Sequence, residues 1–220
     1  MKIYVVGSSK NKFLPLDNIR EKFLIDQPHE GDNIDFLNPW YCELTGLYYL
    51  WKHVDDDIVG LEHYRRYFVN NKDKLLSENE IREILKHNDV ICKKWVFAEH
   101  GEKNGLSFLS KGKRYSYYEK FLSFLPKNEK DFIRHELSTL PYFAQCNMSI
   151  CKKEIIAAYM EWFMNYAINF TAKELAASSR IIGYISEFVF GAWLKMKKYK
   201  IHYQKTNVFN QSLTCKFRNG

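Results

Sequence analysis

Residues 62–66 bring together side chains suited to acid–base chemistry and to anion binding: Glu62, His63, Tyr64, Arg65 and Arg66. Arginine guanidinium groups bind phosphate oxygens through paired, charge-assisted hydrogen bonds. A ligand that carries a diphosphate is therefore the expected partner of this cluster. An ion pair between Glu62 and an arginine at a strand end would explain the same pattern, and the cluster alone does not separate the two interpretations.

The segment Gly7-Ser8-Ser9-Lys10 is a second candidate for phosphate binding, because it follows an apolar stretch that predicts a strand. Small residues let the backbone approach a ligand closely, and a lysine adds positive charge. We expect Ser8 and Lys10 to face the same ligand as the arginines.

Two carboxylates stand on apolar helix faces. Glu43 lies one turn after Trp40, and its carboxylate either holds Arg65 or Arg66 in place or binds a sugar or ribose hydroxyl. Glu187 is the only acidic residue of the helix predicted over 181–193. It suits a general base whose pKa is tuned by burial, and an ion pair with Arg180 is the alternative.

Asn147 is a polar residue in a strand of alternating pattern. It is either a ligand-binding residue at a strand end or an amide whose hydrogen bonds are satisfied within the core. Local sequence does not decide between these two roles.

Alternating apolar patterns and helix caps predict the elements that position these residues. Strands are expected over 2–7, 57–62, 89–92, 142–151 and 200–209, and residues 11–37 are expected to be irregular. Helices are expected from an Asn38 cap with Pro39 to about His53, from a Ser77–Glu80 capping box to Lys86, and over 153–170 and 181–197. Two further helices are expected before Pro141.

Strands that alternate with helices predict an α/β fold with a mostly parallel central sheet flanked by helices. Ligands of such sheets bind beyond the carboxyl ends of the strands. Residues 7–10 and 62–66 lie at such ends, whereas Asp55, Asp56 and Asp57 precede their strand and belong to the opposite edge. We expect one domain over 1–210, a mobile loop at about 100–114, and a C-terminal tail over 211–220.

Composition narrows the class of partner. The net charge is +7 and the pI is about 9.0, which favours an anionic partner, but the chain has no nucleic-acid-binding motif. It also lacks GxGxxG, P-loop, GxSxG and paired-histidine motifs.

The odd number of cysteines, without CxxC spacing, indicates a reducing compartment. No signal peptide or spanning segment is predicted, so we expect a cytoplasmic protein, with residues 195–200 as a possible contact with the inner face of the membrane.

Four segments together resemble the bacterial family catalogued as domain of unknown function 4422. These are GDNIDFLNPWYCELTGLYYLWKH, DDDIVGLEHYRRYF, CNMSICKKE and RIIGYISE, and the resemblance covers about residues 2–205. It implies a GT-A-like glycosyltransferase of capsular polysaccharide, exopolysaccharide or lipopolysaccharide synthesis. The expected donor is a nucleoside-diphosphate sugar, with UDP as the nucleotide and UDP-galactofuranose as one candidate, and the acceptor is a growing or lipid-linked glycan.

The resemblance also implies roles for single residues. Donor-binding positions match Ser8, Lys10, Glu43, Thr45, His63, Tyr64, Arg65, Arg66 and Asn147, and the C-terminal motif matches Arg180, Gly183, Tyr184 and Glu187. The sequence departs from the family at Ser9, where many relatives have histidine, and at Glu62, where they have a small residue or cysteine. We assign Glu187 as the base of an inverting transfer, with the other three residues of its motif in support.

The metal requirement is left open by the sequence. GT-A enzymes generally place an Asp-x-Asp metal motif where this chain has residues 62–66, so Mn²⁺ or Mg²⁺ is conceivable but its expected ligands are absent. We hypothesise that Arg65 and Arg66 neutralise the departing diphosphate instead. The alternatives are a non-catalytic nucleotide- or sugar-binding subunit, a nucleotide-sugar hydrolase and, on net charge alone, a nucleic-acid-binding protein.

Overall fold

A computed structural model describes residues 1–112 and 114–208 of the chain. Its strands are β1 Lys2–Gly7, β2 Arg20–Leu24, β3 Ile58–His63, β4 Arg66–Phe68, β5 Val90–Val96, β6 Tyr142–Lys152, β7 Ile201–Gln204 and β8 Thr206–Val208. Its helices are α1 Asn38–Tyr41, α2 Leu44–His53, α3 Glu78–Leu85, α4 Gly105–Ser110, α5 Tyr115–Phe124, α6 Lys127–Thr139, α7 Lys153–Ala167, α8 Ala172–Ala177 and α9 Ile181–Met196.

The strands form one mixed sheet in the order β2-β1-β3-β6-β5-β7, with β4 beside β3 and β8 beside β4. Strands β2, β1 and β3 are mutually parallel, and so are β5 and β7. Strand β6 runs antiparallel between β3 and β5. The α/β class with a central sheet flanked by helices is therefore confirmed. Six of the eight strands run in one direction, and β4 and the central strand β6 run opposite to them.

Helices cover both faces of the sheet. On one face, α2, α7 and α9 bury Leu47, Tyr159 and Phe188 in a large core. On the other, Ile81 of α3 packs into a smaller cluster with Ile91 of β5. Helix α9 is apolar all round because it packs on β6 and is enclosed by neighbouring helices. Within the described residues, no helix is long and apolar enough to cross a membrane.

Three local predictions are wrong. Residues 20–24 form strand β2 inside a segment expected to be irregular. Residues 66–68, for which the sequence analysis predicted no element, form β4. The expected helix over 38–53 is two helices, because Cys42 has φ 53° and ψ −126° and interrupts it. Asn38 is the first helical residue and its side chain makes no capping hydrogen bond. The Ser77–Glu80 capping box is confirmed.

The expected loop over 100–114 contains helix α4, which Asn104 caps by accepting a hydrogen bond from the Ser107 amide at 2.9 Å. Its mobility stays a prediction. So does the division into a domain over 1–210 and a tail over 211–220, because residues 209–220 and Lys113 lie outside the described residues.

Candidate active site

A cleft of about 520 Å³ opens at the carboxyl ends of β1 and β3. It lies at the edge of the sheet that the strand order predicts for ligands. The predicted site residues that line it are Ser8, Glu43, His63, Tyr64, Arg65, Arg66, Arg180 and Glu187. Residues from distant parts of the sequence thus meet in one place.

The loop after β1 forms one wall of the cleft. A side chain at Gly7 would come within 2.7 Å of Phe13 and 2.9 Å of Tyr64, so only glycine lets these segments pack so closely. The amide and hydroxyl of Ser8 donate to Asn11 Oδ1 at 2.6 and 3.0 Å, which fixes the loop. Lys10 is exposed and does not line the cleft.

Glu62 is a structural residue. It is fully buried and binds Arg20 Nε and Nη2 at 2.8 and 3.2 Å, and it also accepts from the Phe68 amide at 2.9 Å. The strand-end ion pair considered from the sequence therefore exists, but its partner is Arg20 of β2, not Arg65 or Arg66. This pair ties β2, β3 and β4 together and so sets the turn that carries residues 63–66.

The turn presents two arginines and a neutral histidine to the cleft. Burial lowers the pKa of His63 to about 4, and Arg66 acts in the same direction, so its imidazole is uncharged at neutral pH. Arg66 Nη1 lies 3.5 Å from His63 Nδ1. The guanidinium of Arg65 lies 5.8 Å from the centre of the Tyr64 ring. The positive charge of this wall therefore comes from Arg65 and Arg66.

Glu43 is held by a buried hydrogen-bond chain and not by an arginine. Asn147 Nδ2 donates to Glu43 Oε1 at 3.0 Å and to the carbonyl of Gly183 at 3.3 Å. Ser186 Oγ donates to Asn147 Oδ1 at 2.8 Å and lies 2.7 Å from the Tyr159 hydroxyl. Of the two roles considered for Glu43, the contact with Arg65 or Arg66 is not formed among the described residues. Asn147 is fully buried and acts as the core amide that aims Glu43.

Glu187 lies beside Glu43 at the inner end of the cleft. Burial raises the pKa of Glu187 to about 8, and the charge of the neighbouring Glu43 adds to the rise. Arg180 and Arg66 oppose it. Arg180 does not form the direct ion pair considered from the sequence, because its Nε donates to Cys42 Sγ at 3.4 Å. A carboxyl whose pKa lies near neutral pH can accept and release a proton during a reaction.

Helix α9 packs tightly against the break between α1 and α2. A side chain at Gly183 would come within 3.0 Å of the Tyr41 carbonyl oxygen and 3.2 Å of Cys42 Cβ. Thr45 is buried and donates to the Cys42 carbonyl at 2.7 Å, so it supports the break and does not line the cleft. The close approach places Glu187 of α9 against Glu43.

Backbone strain is concentrated around the cleft. Among the described residues, the non-glycine residues with positive φ include Cys42, Cys146, Asn147 and Arg180, with φ of 53°, 71°, 51° and 59°. All four line the cleft or touch a residue that does. Such conformations persist only where the surrounding packing enforces them, and they cluster at functional sites.

Two further cavities continue from the carboxyl pair. A small one of about 90 Å³ lies between Glu187 and Tyr184, and an outer one of about 480 Å³ is lined by Arg114, Tyr117 and Ser178. Arg114 lies over the Tyr184 ring at 4.9 Å and lines both cavities. The carboxyl pair therefore stands between two spaces, one lined by Arg65 and Arg66 and the other by tyrosines and Arg114.

The three aspartates Asp55, Asp56 and Asp57 lie away from the cleft, as expected from the sequence. Asp55 pairs with Lys153 at 3.2 Å and Asp57 with Arg82 at 3.0 Å, at the amino end of β3. Within the described part of the chain, no three His, Cys, Asp or Glu side chains are arranged to hold a metal ion. The described residues of the cleft therefore do not provide a set of three protein ligands for a metal.

Sequence analysis missed several residues that line the cleft. These are Asn11, Asn38, Cys42, Trp95 and Cys146. Asn11 and Trp95 lie in a loop and at a strand end, where a single sequence does not show which side chains face a ligand. Cys42 and Cys146 reach the cleft through positive-φ backbone that periodicity does not reveal.

The fold is shared with a solved glycosyltransferase. The structure of WbbM, a bifunctional glycosyltransferase in its apo state, superimposes with a TM-score of 0.74 at 23% identity, covering 96% of this chain and 45% of that one. The chain thus spans less than half the length of that protein. Residues 2–198 match the family described as Domain of unknown function (DUF4422), and the chain belongs to this family. No curated protein matches the chain.

Proposed function

We propose that this protein is a glycosyltransferase that moves a sugar from a nucleoside diphosphate, expected to be UDP, to a growing surface glycan. The observation that carries the proposal is the Glu43–Glu187 carboxyl pair between an arginine-lined cleft and a tyrosine-lined groove. A transferase needs a place for a donor, a place for an acceptor and a base between them. The fold shared with a glycosyltransferase supports the same class.

The donor occupies the cleft at the carboxyl ends of β1 and β3. Its diphosphate lies against Arg65 and Arg66, whose charges stabilise the leaving group as it departs. Gly7 and Ser8 line this cleft, and the nucleoside lies against the loop that they form. UDP-galactofuranose is one candidate donor, and the volume of about 520 Å³ is in the range of small-molecule sites.

The acceptor approaches through the groove beyond Glu187. Tyr117 and Tyr184 offer ring surfaces for a sugar, and Arg114 offers a positive charge for an anionic group such as the diphosphate of a lipid-linked glycan. The small cavity lined by Glu43 and Glu187 shares Arg114 and Tyr184 with this groove, and both carboxyl groups also line the donor cleft. An acceptor bound in this groove would bring its hydroxyl towards Glu187 through the small cavity.

The reaction is an inverting displacement. The acceptor oxygen bonds to the anomeric carbon, the bond from that carbon to the phosphate oxygen breaks, and the nucleoside diphosphate leaves. Glu187 takes the proton of the acceptor hydroxyl, and Glu43 and Asn147 hold it in place.

Two other functions would use the same cleft. A non-catalytic subunit would bind nucleotide sugars without consuming them, and a nucleotide-sugar hydrolase would release free sugar without extending an acceptor. The separate groove behind Glu187 favours transfer, because water alone needs no such space. The cytoplasm is the expected compartment for such a donor. In the cluster over 195–200, Lys195 is already paired with Glu136 at 3.3 Å, which leaves less charge for a membrane contact.

A thermal-shift screen against nucleotide sugars tests the donor class. At a concentration ten times Kd, a bound donor adds about 1.4 kcal/mol of stability, which corresponds to a rise of about 3 °C for a chain of this size. UDP-linked sugars should produce this rise, and adenosine nucleotides should not. Product analysis with the best donor then separates transfer from hydrolysis. If no nucleotide sugar raises the melting temperature, the proposal fails.

Removal of metal should leave the activity intact. Since the cleft offers two arginines and no set of metal ligands among the described residues, transfer in EDTA should stay within about twofold of the untreated rate. The measurement is donor consumption with EDTA, with Mn²⁺ and without either. Complete loss in EDTA with recovery in Mn²⁺ would show that a metal carries the diphosphate charge.

A further inference from the structure

Strand β5 buries a lysine whose charge has no carboxylate partner. Lys93 is 5% exposed, and burial lowers its pKa. Among the described residues it forms no ion pair, and its ammonium group lies over the Trp95 ring, 4.6 Å from Nζ to the ring centre. Buried lysines are rare unless paired, because an uncompensated charge in the interior is strongly destabilising. The position therefore calls for a compensating ligand.

The irregularity of the sheet places this lysine directly behind the cleft. Cys92 pairs with Ser149 and Lys94 with Ala144, so Lys93 alone faces four residues of β6, 145–148. The bulge of β6 contains the positive-φ residues Cys146 and Asn147. Cys146 and Trp95 line the cleft, whereas Lys93 does not line it but lies over the Trp95 ring and acts electrostatically on Cys146.

The charges around the lysine favour an anion. Arg66, which lines the cleft, acts on Lys93 as a like charge, while the Glu99 and Glu187 carboxylates attract it without forming an ion pair. Two cations thus converge on the part of the cleft bounded by Cys146. In a low-dielectric interior such charges act strongly on a ligand beyond the first layer of side chains.

We propose that Lys93 supplies, from behind the wall formed by Trp95 and Cys146, part of the positive charge that neutralises the diphosphate of the donor. This inference rests on the proposed function, since it assigns a charge to the same donor. Lys93 is a positioning residue: it acts on the diphosphate through the electrostatic field and together with Arg66. The bound diphosphate is the missing counter-ion of the lysine, and the ligand-free protein carries the charge at the expense of its own stability.

The test compares Lys93→Met with Lys94→Met in the full chain. Lys94 is the matched control, because it is the next residue, is exposed, and lies over the Tyr142 ring at 4.3 Å. The probes are UDP, uridine and inorganic pyrophosphate, and the measurements are their Kd values by calorimetry and the melting temperature without ligand. Lys93→Met should weaken UDP and pyrophosphate at least about tenfold, leave uridine unchanged and melt at a higher temperature than the wild type. Lys94→Met should match the wild type throughout.

The outcomes separate this inference from the proposed function. Equal UDP affinity in wild type and Lys93→Met overturns the role of Lys93 and leaves the donor class standing. A variant that melts lower and loses uridine and UDP alike shows a purely structural lysine and also overturns it. If the wild type binds pyrophosphate but not UDP, the assignment of UDP as the nucleotide is contradicted. The affinities of wild type and Lys93→Met for pyrophosphate then still test the role of Lys93. Wild type that binds neither overturns both.

Discussion

Glu187→Gln is expected to lower the rate of sugar transfer by at least about a hundredfold, because a general base usually contributes a factor of this size. The Kd for UDP should stay near the wild-type value. Glutamine has the shape of the carboxyl group but cannot accept the acceptor proton. Rates of acceptor extension and Kd for UDP measure the two effects separately. Glu161→Gln, a substitution of an exposed residue on α7, is the control and should leave both the rate of transfer and the Kd for UDP unchanged. Near-normal transfer by Glu187→Gln would remove this residue from the mechanism.

The pH profile provides an independent signature of the same group. Because burial and Glu43 raise the pKa of Glu187 to about 8, the active carboxylate form increases with pH. We expect kcat/KM to rise from about pH 6 and to level off above about pH 8. Glu43→Gln removes the neighbouring charge and should move this rise to lower pH. A profile that falls with pH would instead make Glu187 an acid.

Stability should change in the opposite sense to activity. The folded-state pKa of Glu187 lies above its ordinary value of 4.5, so protonation stabilises the fold. This contribution is complete below about pH 4.5 and is lost as the pH rises through about 8. Glu187→Gln should therefore be close to wild type at low pH and more stable at high pH, by up to about 5 kcal/mol for a pKa raised from 4.5 to about 8.

The sequence predicted the parts of the site whose chemistry is local. The apolar run before residues 63–66 ends in polar side chains, which indicates a strand end at a ligand-binding edge, and the structure brings this end to Glu43 and Glu187. The lone carboxylate of an apolar helix was also informative, because such a residue must face another polar group. These inferences need only periodicity and side-chain chemistry.

Other features depend on partners that are far apart in sequence. Strand β2 has the charged sequence REKFL, and it is placed by pairing with β1 and by the contact of Arg20 with a carboxylate 42 residues later. The break at Cys42 does not interrupt the helical pattern of the sequence, and it is stabilised by the close packing of Gly183. Lys93 and Lys94 look equivalent in VICKKWV, and only the bulge in β6 decides which one is buried.

Arg20→Met is expected to destabilise the fold by about 3–5 kcal/mol, because it leaves the fully buried Glu62 without its counter-ion. Arg82→Met is the matched control. Arg82 is an arginine whose ion pairs with Asp57 and Glu78 are exposed, and its removal should change the free energy of unfolding by less than about 1 kcal/mol. Urea unfolding at neutral pH measures both differences.

The double variant Arg20→Met/Glu62→Gln should recover much of the loss, since it removes the unpaired charge and keeps an acceptor for the Phe68 amide. The recovery identifies a buried charge as the cause, and not a cavity at Arg20. A double variant as unstable as Arg20→Met would contradict this account. Because the Arg20–Glu62 pair and the Glu62–Phe68 hydrogen bond together set the turn at residues 63–66, both variants should also weaken UDP binding. The ion pair at the end of β3 thus connects the stability of the sheet to the position of Arg65 and Arg66.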